Sequence, residues 1–491
     1  MNVICVLMDS LNRHFLDLYG SDTGTKTPNI DRLAARGMTF DMNYSGSMPC
    51  MPARRDLWTG DVEFPWRPWG ELEKWDNPLP RVLREHGVVT QLVTDHYHLF
   101  ERGSGNYHID FDGWEFIRGH ENDAWLTDPD LGATIEPHPA GHIKPRYMKS
   151  MDTMKDEADW LSPRTFQAAA NWLERNHTHE RFFLMIDEFD PHEPFHVPEP
   201  YNSMYDDSWE ERPYFWEPYG YRKDTEREMQ HLRGQYQGKV TMTDAWFGRL
   251  LDVMDRHNLW ENTAIVLMTD HGHFLGEKNI YGKPPCPPYD EMSHTPLVIA
   301  APGVDGGTRC AAPTQTVDLY ATILDWFGLE PVRPVHGRSL APLLTGKAER
   351  VRDAAVFGYY GRWFGLCDGE HVYLRGSARE DNTPLYIYSQ TYSTAPWWEL
   401  PPIETYEEVG AFMPMSDVPV FKVPCPDHNL RRKKGPEEFD LTESYLYEVT
   451  DRLQDNNLVG TEAETKMVET LRAIMKEMQV PEEQYERLGL K

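Results

Sequence analysis

Cys50 opens a short segment, Cys-Met-Pro-Ala-Arg, that combines a thiol with a proline and an arginine. Pro52 favours the first turn of a helix, and Gly60 favours its end. A helix N-terminus attracts anions, because its free N–H groups and its dipole both point there. Arg54 adds a planar guanidinium suited to tetrahedral oxyanions. A single cysteine is more typical of an inert thiol, but these neighbours predict an anion site at Cys50.

Acidic and histidine residues follow four apolar runs elsewhere in the chain. Asp9 follows the run Asn2–Met8, and His96 and His98 follow Val88–Thr94. Asp187, Asp190 and His192 follow Phe182–Ile186, and Asp270 and His271 follow Ala264–Thr269. Each residue alone is compatible with a turn or cap. In open parallel sheets, however, ligands bind beyond the carboxyl ends of the strands. The four sets together predict a metal hydrolase.

The elements that must position these residues are those of an α/β protein. The apolar runs alternate with helical patterns at Thr27–Arg36, Ser162–Asn176 and Thr225–His257, which predicts a large, mostly parallel sheet flanked by helices. After about Gly346 the pattern changes to short strands and one helix, Glu462–Met478. The predicted strands are Ala355–Tyr359, His371–Leu374, Pro384–Tyr388 and Tyr445–Val449. We therefore expect a catalytic domain over residues 1–348 and a smaller α+β domain over 349–491.

The bulk composition narrows the range of partners. The 491 residues include 79 acidic and 49 basic side chains, for a net charge of −30. Such a charge argues against binding to nucleic acid or to anionic membranes, although a local metal ion can still attract a small anion. No apolar run is long enough to span a membrane, and no signal peptide is evident. We expect a soluble, cytoplasmic protein without disulfide bonds.

The Cys50 segment, with Thr-Gly after it, resembles the signature of the sulfatase family. Cys50, Pro52 and Arg54 match the signature, whereas Ala53 and Trp58 replace a common serine and leucine. Further similar segments follow in the family's order: 9–11, 19–20, 27–34, 190–195, 269–272, 275–277, 281–283, 293–299, 446–449 and 455–458. The resemblance covers nearly the whole chain and implies an alkaline-phosphatase-like fold.

The resemblance implies a modified residue and one divalent metal ion. A separate formylglycine-generating enzyme would recognise the signature and oxidise Cys50 to formylglycine. The implied metal ligands are Asp9, Asp270, His271 and an oxygen of modified Cys50, with Ser10 in the place of a second acidic residue. Ca²⁺ is the first choice on family grounds. Mn²⁺ is the second, because only two carboxylates remain in this set.

The resemblance also implies roles around the sulfate group. His98 matches a histidine that hydrogen-bonds the modified residue and acts as a base. His192 and Lys283 match the pair that binds sulfate and protonates the leaving oxygen. His96 replaces a substrate-binding lysine. The hydrated aldehyde would attack sulfur with one hydroxyl and expel sulfate with the other, which a serine alcohol could not do.

The expected reaction is hydrolysis of an aryl or carbohydrate sulfate ester, with two alternatives. Phosphonate monoester and phosphodiester hydrolases share the formylglycine motif and the metal pair, but tend to lack the histidine matched by His98. A catalytically inactive binding or scaffolding protein is the second alternative, although the intact motifs argue against it.

Substrate identity and oligomeric state stay open. The aromatic side chains of Tyr201–Arg222, Trp363 and Trp397-Trp398 either line a pocket or pack in the core. Helix Glu462–Met478 packs either within the chain or across a dimer, so a homo-oligomer and a monomer are both compatible with the sequence.

Overall fold

A computed structural model describes residues 1–132, 135–391, 402–411, 418–425 and 439–491. Trp397 and Trp398 lie outside the described residues, so their predicted position stays a prediction. Among the helices that are described, none combines the length and apolar character needed to cross a membrane.

The strands and helices are numbered in chain order. The strands are β1 (Asn2–Met8), β2 (Met38–Tyr44), β3 (Ser47–Met48), β4 (Val89–Thr94), β5 (Gly113–Phe116), β6 (Phe182–Glu188), β7 (Gly220–Tyr221), β8 (Thr263–Met268), β9 (Phe274–Leu275), β10 (Ile280–Gly282), β11 (Leu297–Ala300), β12 (Thr308–Gln315), β13 (Ala355–Tyr359), β14 (Phe364–Cys367), β15 (His371–Arg375), β16 (Tyr386–Ser389), β17 (Glu407–Ala411), β18 (Pro419–Pro424) and β19 (Tyr445–Glu448). The helices are α1 (Pro28–Ala34), α2 (Cys50–Thr59), α3 (Leu79–Glu85), α4 (Pro145–Met151), α5 (Leu161–Asn176), α6 (Glu226–Arg256), α7 (Asp290–Ser293), α8 (Asp318–Trp326), α9 (Ala341–Leu344), α10 (Glu462–Glu477) and α11 (Glu482–Arg487).

The main sheet has the strand order β12-β2-β11-β8-β1-β6-β4-β5. All its neighbours pair in parallel except β11, which runs antiparallel to β2 and β8. The four runs predicted from the sequence are therefore adjacent strands, β8-β1-β6-β4. The predicted fold class is confirmed. Strand β6 extends two residues beyond the predicted Ile186, so Asp187 lies within the strand and pairs with Leu7 of β1.

Helices cover both faces of this sheet, as alternating side chains of β1 show. Ile4 and Val6 pack in a core with α5 and α6. Val3 and Cys5 point the other way, into a core with α2, α3 and α8. Successive strand residues face opposite sides, so a strand buried on both faces is apolar throughout, which is what Asn2–Met8 shows. The predicted helix Thr225–His257 is α6, which begins with a capping box at Thr225.

The C-terminal part contributes to two smaller sheets, in which all neighbours but one pair antiparallel. One sheet has the order β19-β15-β14-β13-β3, and the other has β16-β18-β17. Strand β3 comes from the N-terminal part and pairs in parallel with β13, so the two parts of the chain share a sheet. The boundary at residue 348 stays a prediction.

Helix α10 matches the predicted helix to within one residue. Its side chains Met467, Leu471 and Met475 pack in one core with Leu366 and Leu446 of the same chain. This apolar face is therefore buried within the chain, and α10 needs no second copy to cover it.

Candidate active site

Asp9, Cys50, Asp270 and His271 form a buried cluster at the carboxyl edge of the main sheet. Their ligand-type atoms all lie within 4.8 Å of one another, and each residue is at most 2% exposed. Asp9 follows β1, Asp270 and His271 follow β8, and Cys50 begins α2. The structure thus brings together the four residues predicted to surround the metal ion.

Helix α2 forms where the Cys50 segment predicts it. It runs from Cys50 to Thr59 and ends at Gly60, whose φ of 78° is the left-handed cap conformation that glycine adopts readily. The helix begins at Cys50 itself, so the Cys50 side chain lies at the N-terminal end of the helix dipole.

His271 is oriented by the carbonyl oxygen of Gly272. Its Nδ1 donates to that oxygen at 2.8 Å, which leaves Nε2 without a proton, 3.2 Å from the Cys50 sulfur. Gly272 is required here, because a Cβ atom would lie 1.9 Å from the carbonyl oxygen of Glu291. The backbone therefore fixes which imidazole nitrogen can bind a metal ion.

Arg54 is fully buried and connects three carboxylates. Its Nη2 lies 2.6 Å from Asp187 and 3.0 Å from Asp9, and its Nη1 lies 2.7 Å from Asp270. Nη1 also donates to the Cys50 carbonyl oxygen at 3.1 Å. The guanidinium that the sequence assigns to a substrate oxyanion is engaged by protein carboxylates, which favours a positioning role for it.

The cluster is suited to a divalent cation. Burial and the neighbouring Asp270 raise the pKa of Asp9 well above its usual range. For Asp270, His271 and Arg54 outweigh burial and lower the pKa. Asp9 Oδ2 lies 3.0 Å from Arg54 Nη2 but makes no hydrogen bond of acceptable geometry. This carboxylate oxygen, an unprotonated imidazole nitrogen and a second carboxylate fit the donor set of a divalent metal ion.

Ser10, which the sequence places in the metal set, links the cluster to Lys283. Its hydroxyl donates to Asp9 at 2.7 Å and accepts from Lys283 Nζ at 3.1 Å. Its backbone N–H donates to Asp270 at 3.1 Å. The hydroxyl thus both donates and accepts, and Ser10 orients the two carboxylates, while its place in the metal set stays a prediction.

A cavity of about 650 Å³ opens above Cys50. Cys50, His98, His192 and Lys283 line it. His96 does not: it is fully buried, 3.9 Å from Asp9, and neither ring nitrogen has a hydrogen-bond partner. Its predicted contact with substrate therefore has no support from the cavity geometry.

His98 lies between two glutamates. Its Nδ1 is 2.5 Å from Glu101, and its Nε2 is 3.6 Å from Glu121. Burial lowers the pKa of His98, but the two carboxylates outweigh burial and raise it above the usual value. Both nitrogens face acceptors, so the arrangement favours an imidazolium rather than the base implied by the resemblance.

His192 has the opposite environment. Burial, together with the positive charge of Lys283, lowers the pKa of His192 well below its usual value. Its Nδ1 donates to the Glu193 carbonyl oxygen at 2.7 Å. Lys283 stays charged, because Cys50, Glu193 and Asp9 outweigh burial and raise its pKa.

The aromatic residues considered from the sequence divide between cavity and core. Trp216 and Tyr219, from the predicted loop Tyr201–Arg222, line the cavity. Trp363 is fully buried in the core instead, so the packing alternative holds for it.

The structure adds cavity residues that the sequence did not indicate. They include Trp69, Tyr97, Glu101, Glu121, His142, Lys144, Glu193, Glu217, Tyr359, Tyr360 and Arg362. Most of them come from loops, where no strand-end rule applies. Of these residues, Glu193 could have been predicted from the sequence, because it directly follows His192.

Comparison with known proteins is consistent with this geometry. The family model for Sulfatase matches residues 1–329. A sulfatase from Formosa agariphila is 25% identical over 410 residues, covering 74% of this chain and 76% of that protein. Arylsulfatase K from Bos taurus is 24% identical over 374 residues, covering 70% of this chain and 65% of that protein. The chain thus spans less than two thirds of the length of this second relative.

A solved structure shows the same fold. The phosphonate monoester hydrolase of Agrobacterium radiobacter superposes with a TM-score of 0.68 at 18% identity, covering 97% of this chain and 95% of that one. This likeness concerns the fold alone. The family model, by contrast, covers well over half of the chain, and it matches the part that carries Asp9, Cys50, Asp270 and Lys283. The chain belongs to the sulfatase family.

Proposed function

We propose that this protein hydrolyses sulfate monoesters of aryl or carbohydrate alcohols, using formylglycine derived from Cys50 and one divalent metal ion. The observation that supports this proposal best is the buried cluster of Asp9, Cys50, Asp270 and His271, which lies at the base of a cavity that Lys283 also lines. A cluster of metal ligands that includes the signature cysteine, below a cationic side chain, is what a sulfate ester requires.

Asp9, Asp270 and His271 would hold the metal ion together with an oxygen of modified Cys50. The metal ion would supply positive charge that stabilises an anionic oxygen, and the modified residue would supply the nucleophilic hydroxyl. We keep Ca²⁺ as first choice and Mn²⁺ as second. The formylglycine-generating enzyme is the partner required for maturation.

Three further residues around the cavity would bind the sulfate oxygens and transfer protons. Lys283 is buried, charged and beside Cys50, so it would bind the sulfate oxygens. His98, held as an imidazolium by Glu101 and Glu121, would donate a proton to the leaving oxygen. His192 carries its proton on Nδ1, so its Nε2 would accept one. These roles reverse the order implied by the resemblance for the two histidines.

The pH dependence of kcat/KM tests these proton-transfer roles. The variant His98→Asn should lose the alkaline limb, because the donor whose deprotonation defines that limb is gone. The variant His192→Asn should lose the acid limb. Unchanged limbs in both variants would contradict the assignment while leaving sulfate ester hydrolysis itself intact.

The activity is tested with the chain co-expressed with a formylglycine-generating enzyme. Mass spectrometry of the Cys50 peptide should show a loss of about 18 Da, the mass difference between thiol and aldehyde. An aryl sulfate should then be hydrolysed, and Cys50→Ala should abolish the activity. An unmodified thiol in this competent host would favour the inactive scaffolding alternative.

The second candidate is hydrolysis of phosphonate monoesters or phosphodiesters. The fold shared with a phosphonate monoester hydrolase supports it, whereas His98 at the cavity favours a sulfate ester. Parallel rates on an aryl sulfate, a phosphonate monoester and a phosphodiester decide between them. A phosphonate preference by orders of magnitude would overturn the first choice.

A further inference from the structure

Glu193, Glu217 and His273 form a second buried cluster, outside the one around Cys50. Their ligand-type atoms lie within 4.8 Å of one another, and each residue is at most 3% exposed. Glu193 follows β6, Glu217 belongs to the loop before β7, and His273 follows β8. Three separate segments thus converge on one point beside the cavity.

Three polar atoms of this cluster have no hydrogen-bond partner: Glu193 Oε2, Glu217 Oε2 and His273 Nδ1. Buried carboxylate oxygens and imidazole nitrogens rarely lack a partner, since each costs its full desolvation free energy. Lys283, which donates to Ser10, lowers the pKa of Glu193, and His192 Nδ1 lies 3.0 Å from Glu193 Oε2 without hydrogen-bond geometry. Part of the charge of Glu193 is thus compensated, whereas Glu217 Oε2 and His273 Nδ1 keep no hydrogen-bond partner.

The hydrogen bonds fix the tautomer of His273. Its Nε2 lies 2.7 Å from Glu217 Oε1 and donates to it. A carboxylate that holds one imidazole nitrogen in this way leaves the other nitrogen bare for a metal ion. The bare Nδ1 faces Glu193 Oε2 at 3.8 Å.

This separation distinguishes a shared ion from a direct contact. A hydrogen bond between the two atoms would need about 3.2 Å or less, so 3.8 Å is too long. Two ligands that each lie about 2.0–2.2 Å from one ion can stand at that separation. Glu193 is also held by Tyr219, which donates to its other carboxylate oxygen, so its orientation is set independently of His273.

We propose that Glu193, Glu217 and His273 bind a second divalent metal ion, with Zn²⁺ as the best match to one imidazole and two carboxylates. Glu193 and Glu217 line the cavity. The ion therefore keeps coordination positions open toward it, for water or for an oxygen atom of the alcohol part of a substrate.

The test counts metal ions and is independent of any ester hydrolysis. The full chain is stripped with a chelator and titrated with ZnCl₂ by calorimetry, and the bound metal is counted by plasma mass spectrometry. Wild type should bind two ions per chain. His273→Ala should bind one, and so should Asp270→Asn, which removes a ligand from the cluster around Cys50. Control variant His142→Ala, which changes a cavity histidine outside both clusters, should bind two.

Two outcomes would overturn the proposal. One is a wild type that binds no ion, or a single ion that is lost in Asp270→Asn and kept in His273→Ala. The other is a His273→Ala variant that binds as many ions as wild type, which would leave His273 as an imidazolium between two glutamates. If His273→Ala does not fold, the nearly isosteric Glu217→Gln replaces it and should weaken the second binding step at least tenfold, since it removes one ligand charge.

Discussion

Removing the Arg54 guanidinium should destabilise the chain strongly, because it leaves carboxylates buried without a counter-charge. Arg54→Met keeps the volume of the side chain but breaks the contact with Asp187 at 2.6 Å and the contact with Asp270 at 2.7 Å. Breaking a buried ion pair from one side typically costs about 3–5 kcal/mol. For 491 residues at about 2.1 cal/mol/K each, the unfolding entropy is about 1 kcal/mol/K, so Tm should fall by about 3–5 °C.

The loss of stability in Arg54→Met should come from the buried, unpaired carboxylate of Asp187 rather than from lost packing. Asp187 pairs with Arg54 through Nε and Nη2 and has no exposed surface. Replacing both partners with apolar residues removes the uncompensated charge. The double variant Arg54→Met/Asp187→Leu should therefore be more stable than Arg54→Met alone, with a coupling free energy of about 1–3 kcal/mol.

The assay is thermal unfolding of the four proteins of this cycle, at one fixed concentration of metal salt. Arg379→Met is the matched control, because Arg379 pairs with Asp381 at 2.8 Å on the surface. It should leave Tm unchanged, since exposed ion pairs contribute little. A double variant as unstable as the sum of the two single variants would refute the reasoning, and so would an Arg54→Met variant that melts like the control.

Three further predictions concern single positions. Glu101→Gln should lower the pKa of His98 and move the alkaline limb of kcat/KM to lower pH, measured by a pH–rate profile. Because folding raises the pKa of His98, its contribution to stability is complete below about pH 6.5 and is lost as the pH rises through the raised value. Lys283→Ala should reduce kcat/KM on an aryl sulfate by about 10²–10³-fold, and an unchanged rate would exclude it from the sulfate site. Gly272→Ala should destabilise the chain by about 1–3 kcal/mol or more in denaturant unfolding, because its Cβ would lie 1.9 Å from the carbonyl oxygen of Glu291. A fully stable variant would show that the backbone can shift there.

The cluster of Asp9, Cys50, Asp270 and His271 was predictable from the sequence because strand ends fix the positions of its acidic residues. The apolar run before Asp9 and the run before Asp270 are both typical of strands buried on both faces, and both form such strands. Adjacent parallel strands then place both carboxylates at one edge of the sheet. Cys50 joins them because Pro52 and Gly60 delimit the helix that carries it. At each of these positions the sequence pattern of the strand or helix agrees with the order of the strands in the sheet. The residues of the cluster could therefore be predicted from the sequence.

The cavity walls were not predictable in the same way. Glu121 and Trp216 lie in long loops, and Tyr359 ends a strand of the C-terminal part. Their positions depend on how separate segments pack, including the pairing of β3 with β13. No periodicity in the sequence encodes that packing. The structure places His98 at the cavity, and its protonation depends on Glu101 and Glu121, which lie 3 and 23 positions further along the chain.

The protonation states matter more for the mechanism than the identity of the histidines. A bound sulfate ester brings a negative charge into the cavity, and that charge stabilises the imidazolium of His98 further. His192 stays beside the positive charge of Lys283, which opposes its protonation. Of the two histidines in the proposed mechanism, one would thus be charged and one neutral with substrate bound, which is the arrangement that acid–base catalysis of an ester cleavage needs. Phosphonate and sulfate monoesters both carry one negative charge and both need a proton on the leaving oxygen. The choice between them must therefore come from the residues that line the cavity, which include His98 and the loop residues that the sequence did not reveal.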